Sequence, residues 1–214
     1  MKDMIKDTLI LFVITLIAGT LLGFVNELTK EPIAAYEAEK KASACSEVFY
    51  EENEAGELVP VTELVFELLS DAQIAELNAA VIARGYEGIV IDEVYGAYVS
   101  EEDSFYGYVI GITTKEGYNG AISFYVGVTK ESILKGVSIL AIGETPGLGM
   151  NAENVLLPQF RNVNATNFTV VKTGAQISGE VDAITGATIT SDAITGGVNA
   201  ACECFAILQE GGNE

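Results

Sequence analysis

Three short segments carry the side chains that could do chemistry. Asp182-Ala-Ile-Thr185-Gly186-Ala187-Thr188-Ile-Thr190-Ser191 precedes a helix-like stripe and clusters hydroxyls around small residues. Gly186 and Ala187 leave the backbone accessible, and Thr188 presents its hydroxyl there. A helix N-terminus offers unpaired N–H groups and a partial positive charge, so it favours a phosphate. On chemistry alone an ordinary loop capped by Thr190 or Ser191 accounts for the same residues. The second segment is Gly143-Glu144-Thr145-Pro146-Gly147-Leu148-Gly149-Met150, behind the apolar run 137–142. Pro146 and the glycines predict a tight exposed loop. With Ala152 the glycines fit a relaxed dinucleotide pattern. That pattern needs an acidic residue about 20 positions on, and 162–179 contains none. The third, Gly117-Tyr118-Asn119-Gly120, reads as a hairpin turn, with Tyr118 either covering a flat ligand or simply exposed.

Composition narrows the chemistry further. The 214 residues hold 11 Lys and Arg against 31 Asp and Glu, a formal net charge of −20, with no His and three Cys. So acidic a chain does not bind nucleic acid, because phosphate contacts need Lys and Arg. Lack of His removes His-based triads and His-ligated zinc or haem. Three Cys fall short of the four thiolates a typical iron–sulfur cluster takes. Cys202 and Cys204, on or next to the apolar face of the last helix, read as apolar packers, whereas Cys45 reads as the exposed exception.

The elements that must position these segments belong to an α+β class. Residues 8–25 are uncharged and apolar, long enough as a helix (about 27 Å) to cross a bilayer. We divide the chain into an N-terminus (1–7), a membrane helix (8–25), a helical stalk (26–47) and a soluble domain (48–214). The stalk continues the helix after Pro32. Nearby cations on the two sides of the membrane helix, Lys2, Lys6 and the amino terminus against Lys30, Lys40 and Lys41, balance, so the positive-inside rule assigns no orientation. Residues 48–70 are acidic and poorly periodic. A helix starts at Ser70-Asp71. β-rich runs follow at 94–99, 105–113, 121–128 and 137–142, separated by turn residues as in antiparallel hairpins. A helix after Asn151 and a strand at 168–172 precede the C-terminal helix, whose stripe Ile194, Val198, Ala201, Phe205 and Leu208 packs on the sheet. Asp182–Gly186 and Asp192–Gly196 repeat one pentapeptide; we read the second copy as a packing feature of that helix.

Together, the anchor and the three loops resemble one family over nearly the whole chain. The sequence is similar to RnfG, the G component of the Rnf electron-transport complex, which is related to the C component of the sodium-pumping NADH:quinone oxidoreductase. Its most specific element is the flavinylation motif Asp-x-x-Ser/Thr-Gly-Ala-Thr, here Asp182 to Thr188 with Thr185 at the fourth position. The resemblance implies covalent FMN, joined to Thr188 through a phosphoester by a separate flavin transferase acting on FAD. It implies flavin contacts from the Glu-Thr-Pro-Gly-Leu-Gly loop (Glu144, Thr145, Gly147, Leu148, Gly149), from Gly186, Ala187 and Thr190, and from Tyr118, where relatives can carry Trp. Lys172 falls near a basic position of the family. The resemblance further implies a single N-terminal transmembrane helix, a largely antiparallel extracytoplasmic FMN domain, and partnership with other membrane and peripheral subunits and the lipid bilayer. The implied role is an electron-carrier subunit of the translocase class rather than a self-sufficient enzyme. Alternatives are a component of the quinone-linked pump, equivalent to its C component, and a stand-alone, membrane-tethered flavin reductase.

Overall fold

Eighteen uncharged residues leave a backbone in apolar surroundings one way to satisfy its N–H and C=O groups, and that is a helix. The computed structural model describes residues 2–52, 57–100 and 104–211. Helix α1 runs Lys2–Glu47 with Pro32 inside it. Its most apolar 18-residue window has a mean hydropathy of 2.5, so α1 is long and apolar enough to cross a membrane. The hydroxyls within and just beyond this run turn back on their own helix: Thr8 donates to the Met4 carbonyl at 2.8 Å, Thr20 to Leu16 at 2.8 Å and Thr29 to Val25 at 2.9 Å. Those bonds leave few free polar donors on the apolar surface. Pro32 does not restart the helix; the one N–H it lacks is a small loss in a helix otherwise intact on both sides. Met1 and the side chain of Lys2, counted among the cations above, lie outside the described residues.

Two compact units follow from the contacts, Met1–Ala42 and Ser43–Glu214. The second is built on an antiparallel meander of six strands: β3 (Leu64–Leu68), β4 (Ile89–Val99), β5 (Ser104–Thr114), β6 (Ile122–Thr129), β7 (Ile133–Ile142) and β8 (Val163–Asn164). The four central strands answer the β-rich runs, but β4 and β7 start earlier than the sequence suggests. In β4 the acidic pair Asp92-Glu93 hides the alternation; the register shifts between Ile91 and Glu93, so Asp92 is bulged out of the pairing. Its carboxylate accepts from Thr113 Oγ1 at 2.6 Å. The acidic stretch 48–70 holds structure that poor periodicity concealed: a short hairpin of β1 (Tyr50–Glu52) and β2 (Leu58–Pro60), and then β3. These strands carry exposed apolar and acidic side chains side by side, which erases any binary pattern.

Helix α2 (Asp71–Ala83) starts where Ser70 predicts, with a reciprocal cap: Ser70 N donates to Gln73 Oε1 at 3.1 Å, and Gln73 N to Ser70 Oγ. After β7 come the single turn α3 (Ala152–Val155) and the parallel pair β9 (Thr169–Val171) and β10 (Glu180–Asp182). Helix α4 (Thr188–Gly211) closes the chain. It begins at Thr188, so Thr190 and Ser191 lie inside its first turn instead of capping it.

Period-two alternation sorts the sheet residues onto two faces. Ile112, Ile122, Phe124, Val126 and Val128 face one core with Ile194, Val198 and Phe205 of α4. The approach is close: a Cβ on Gly197 would lie 2.5 Å from Phe124 Cζ. The close contact belongs to Gly197, just after the second pentapeptide; a Cβ on that repeat's own Gly196 would make only an ordinary approach, 3.8 Å to Ile89 Cδ1. The opposite face, with Ala97, Val109 and Tyr125, is covered by Ala44, Cys45, Val48 and Phe49. Cys45 is therefore buried at 4% exposure, not exposed as the charged stretch before it suggests. The last turn of α1 and the residues after it seat on the sheet, because Val48 and Phe49 supply the apolar cover that face needs.

Burial pushes the Cys202 and Cys204 thiols up to about 12, so near pH 8 both stay protonated and poorly nucleophilic. With Cys45 also enclosed, we expect a thiol-specific chromogenic disulfide to leave the folded full chain in detergent essentially unmodified. The same reagent should count three thiols in denaturant. Rapid native labelling of all three would contradict this packing.

Candidate functional site

A loop rich in glycine holds a fixed shape only if something buried ties it down. In 143–150 that residue is Glu144, 4% exposed although its neighbours are open to solvent. Its Oε1 accepts the Asn119 backbone N–H at 3.1 Å, and its Oε2 accepts the Thr190 hydroxyl at 3.0 Å. One carboxylate thus joins the β5–β6 turn, the loop after β7 and the first turn of α4. Asn119 Nδ2 adds a 2.7 Å bond to the Gly143 carbonyl. The glycines are required by this closeness: a Cβ on Gly117 would lie 2.9 Å from Glu144 Oε1, and one on Gly149 would lie 2.7 Å from both Glu144 Cβ and Thr190 Oγ1.

The turn that presents Thr188 is fixed in the same way. Ser191, fully buried, accepts the Ile184 N–H at 2.9 Å and donates to the Ala187 carbonyl at 3.0 Å. Gly186 takes φ +78°, and a Cβ there would meet Leu148 at 3.2 Å. Gln159 pairs with both backbone groups of Asp182, accepting from its N–H at 2.7 Å and donating to its carbonyl at 3.0 Å.

These segments enclose a cleft of about 590 Å³ lined by Tyr118, Glu144, Thr145, Leu148, Gly149 and the stretch 186–190. Thr188, first residue of α4, is exposed there, and Tyr118 is 69% exposed. Tyr118, Leu148 and Ile189 supply apolar surface. The N-terminus of α4 supplies the positive potential for an anionic group. Glu144 is the one charged side chain among the described lining residues.

Of the residues singled out from sequence, Tyr118, Glu144, Thr145, Leu148, Gly149, Gly186, Ala187, Thr188 and Thr190 come together in this lining. The others do not. Asp182 points its carboxylate at the Ala175 N–H, 2.9 Å away, and so organises the loop between β9 and β10. Thr185 sits exposed in the turn, Gly147 (φ +76°) allows the loop to bend, and Lys172 is exposed just past β9. Sequence reasoning missed Ile189, Asn119, Ser191 and Gln159. Ile189 had a usable signal: it lies off the buried stripe of α4 yet is large and apolar. Asn119 and Gln159 bond to segments more than 20 residues away, which no local pattern marks, and Ser191 bonds back to Ala187 and Ile184 within its own turn.

All three cleft segments fall inside one family match. The model of the FMN-binding domain covers residues 117–203, and that of the RnfG N-terminal region covers residues 1–48. The chain thus matches an RnfG N-terminal region and an FMN-binding domain in turn. Among curated relatives, the G component of the Na⁺-translocating ferredoxin:NAD⁺ oxidoreductase complex of Acetobacterium woodii is 29% identical over 98% of this chain and 95% of its own. The G component of the ion-translocating oxidoreductase complex of Aliivibrio fischeri is 27% identical over 98% and 94%. The proton-translocating counterpart of Clostridium ljungdahlii is 43% identical over 45% of this chain and 51% of its own. Among solved structures, the crystal structure of Shewanella oneidensis NqrC matches with a TM-score of 0.47 and 18% identity, over 70% of this chain and 85% of that one. The FMN-binding domain match names FMN as the cofactor class, over a span that includes the cleft residues.

The Ser191 clamp yields a prediction. Ser191→Ala leaves the Ile184 N–H buried without a partner, at a cost of about 1–3 kcal/mol. Thermal unfolding of the chain without flavin should register that loss, and an unchanged melting temperature would show that the clamp contributes nothing.

Proposed function

We propose that this protein is the membrane-anchored, flavin-carrying electron-transfer component of an ion-translocating ferredoxin:NAD oxidoreductase, with FMN held covalently on Thr188. The observation that carries the reading is the exposed Thr188 hydroxyl, at the first position of α4, opening on a cleft bounded by Tyr118 and the Glu144–Gly149 loop. The fit is chemical as well as spatial. A cleft of about 590 Å³ is within the usual range for a cofactor. Leu148, Ile189 and Tyr118 suit a flat, largely apolar ring system, and the α4 N-terminus suits a phosphate diester.

In this reading, Thr188 Oγ1 forms a bond to the phosphorus of the FMN half of FAD. The phosphoanhydride breaks, AMP leaves and the hydroxyl proton is released, all catalysed by a separate flavin transferase. Bound FMN supplies reversible one-electron transfer, so the protein takes electrons from one neighbour in the complex and returns them to another. The chain's own residues do the rest. Gly186 and Ala187 keep the backbone low around the acceptor hydroxyl, Ser191 and Gln159 hold its turn, and Glu144 fixes the loops against one another. Asp182, Thr185 and Gly147 shape the turns, and Lys172 is left outside the binding set.

We place residues 8–25 across the bilayer, 26–47 as the stalk and 48–214 on the extracytoplasmic side, with the N-terminus inside the cell. A covalent tether suits that side, where a dissociated cofactor would be lost. The other subunits of the complex, the transferase and the lipid bilayer are the partners.

Denaturing electrophoresis of the full chain, made together with a flavin transferase, should show a flavin-fluorescent band and an intact mass raised by one FMN. Thr188→Ala should lose both, while Thr195→Ala keeps them because Thr195 is buried in α4. Equal fluorescence in Thr188→Ala would overturn the attachment site.

A further inference from the structure

The geometry points to Glu144 as a positioning residue that also sets the redox potential of the cleft, by placing an uncompensated buried negative charge in its lining. This deepens the proposed function and rests on flavin occupying the cleft.

The partners of Glu144 are neutral. Oε1 accepts a backbone N–H and Oε2 accepts a hydroxyl, so both oxygens act as acceptors, the role of an ionised carboxylate. Neither bond brings a cation, and no lysine or arginine is found among the described lining residues. The side chain is 4% exposed, which keeps water from screening its charge. Shape alone does not require a charge at this position. A glutamine would span the same gap and offer an oxygen to Asn119, yet the loop uses a carboxylate in the space that Gly117 and Gly149 leave open by lacking a Cβ.

The consequence has a definite sign. Each electron the cleft receives adds negative charge close to Glu144, and the carboxylate opposes it. The protein thereby holds the couple at a lower potential than a neutral cleft of the same shape would. Thr190 and Asn119 moderate that effect, because their donors withdraw charge from the two oxygens.

Two near-isosteric substitutions test this. Glu144→Gln removes the charge and keeps the shape; Thr190→Val keeps the charge and removes one donor. The full chain and both variants are made with the flavin transferase in detergent, flavin content is read by in-gel fluorescence and intact mass, and midpoint potentials by spectroelectrochemical titration. We expect a positive shift in Glu144→Gln and a negative shift in Thr190→Val, with melting temperatures recorded alongside to follow folding. Damage to cleft shape alone would not move the two variants in opposite directions. If Glu144→Gln fails to fold, the sign of the Thr190→Val shift decides by itself. Unshifted midpoints, or shifts of one sign, in chains that carry flavin would overturn this inference alone. A wild-type chain without flavin would overturn the cofactor reading and this inference with it.

Discussion

A carboxylate enclosed by protein is stable only when its oxygens find donors, and at Glu144 those donors come from parts of the chain 25 and 46 residues away. That requirement holds the cleft together. The β5–β6 turn supplies an N–H, the first turn of α4 supplies a hydroxyl, and the loop between them has no other buried anchor than Glu144 and Gly149. Were the carboxylate exposed, the loop's glycines would leave its shape unspecified. Because it is buried and bonded, the glycines become a necessity of close approach, and the surrounding exposed residues inherit a fixed position.

The sheet explains why those segments meet at all. An antiparallel meander returns the chain to the same end at every second turn, so the 115–121 connection and the loop after β7 emerge beside one another. Helix α4 lies across β5 and β6 because Gly197 lets it approach Phe124, which brings its first residue to that edge. Packing of one glycine against one ring therefore helps determine where a hydroxyl many residues earlier is presented. The cover on the opposite face, Val48 and Phe49, has a parallel role: Gly127 leaves room for Val48, with a Cβ–Cγ2 separation of only 2.8 Å had it been an alanine.

Much of the architecture was legible because it rests on local rules. The uncharged run 8–25, the Ser70 cap, the alternation in β5 and β6, and the apolar stripe of α4 each express a periodicity or a capping preference confined to a few neighbours. The resemblance carried by Asp182–Thr188 and Glu144–Gly149 groups the cleft segments by motif alone. Where the local rule was broken, the reading failed. Mixed acidic and apolar residues mask β3 and the short hairpin before it, the bulge in β4 interrupts its alternation, and the charged helical segment before Cys45 masks the burial of that thiol.

By itself, then, the sequence determined the class of the fold, the apolar helix and the residue types available for chemistry, since these depend on composition and short-range pattern. Only the tertiary structure decided which of those residues share a surface. It turned Asp182 towards Ala175, left Lys172 outside, brought Ile189 in, and enclosed Glu144 between Asn119 and Thr190. Those outcomes depend on hydrogen bonds and van der Waals contacts between distant segments. Their energies exist only once the chain has folded, and no window of neighbouring residues contains them.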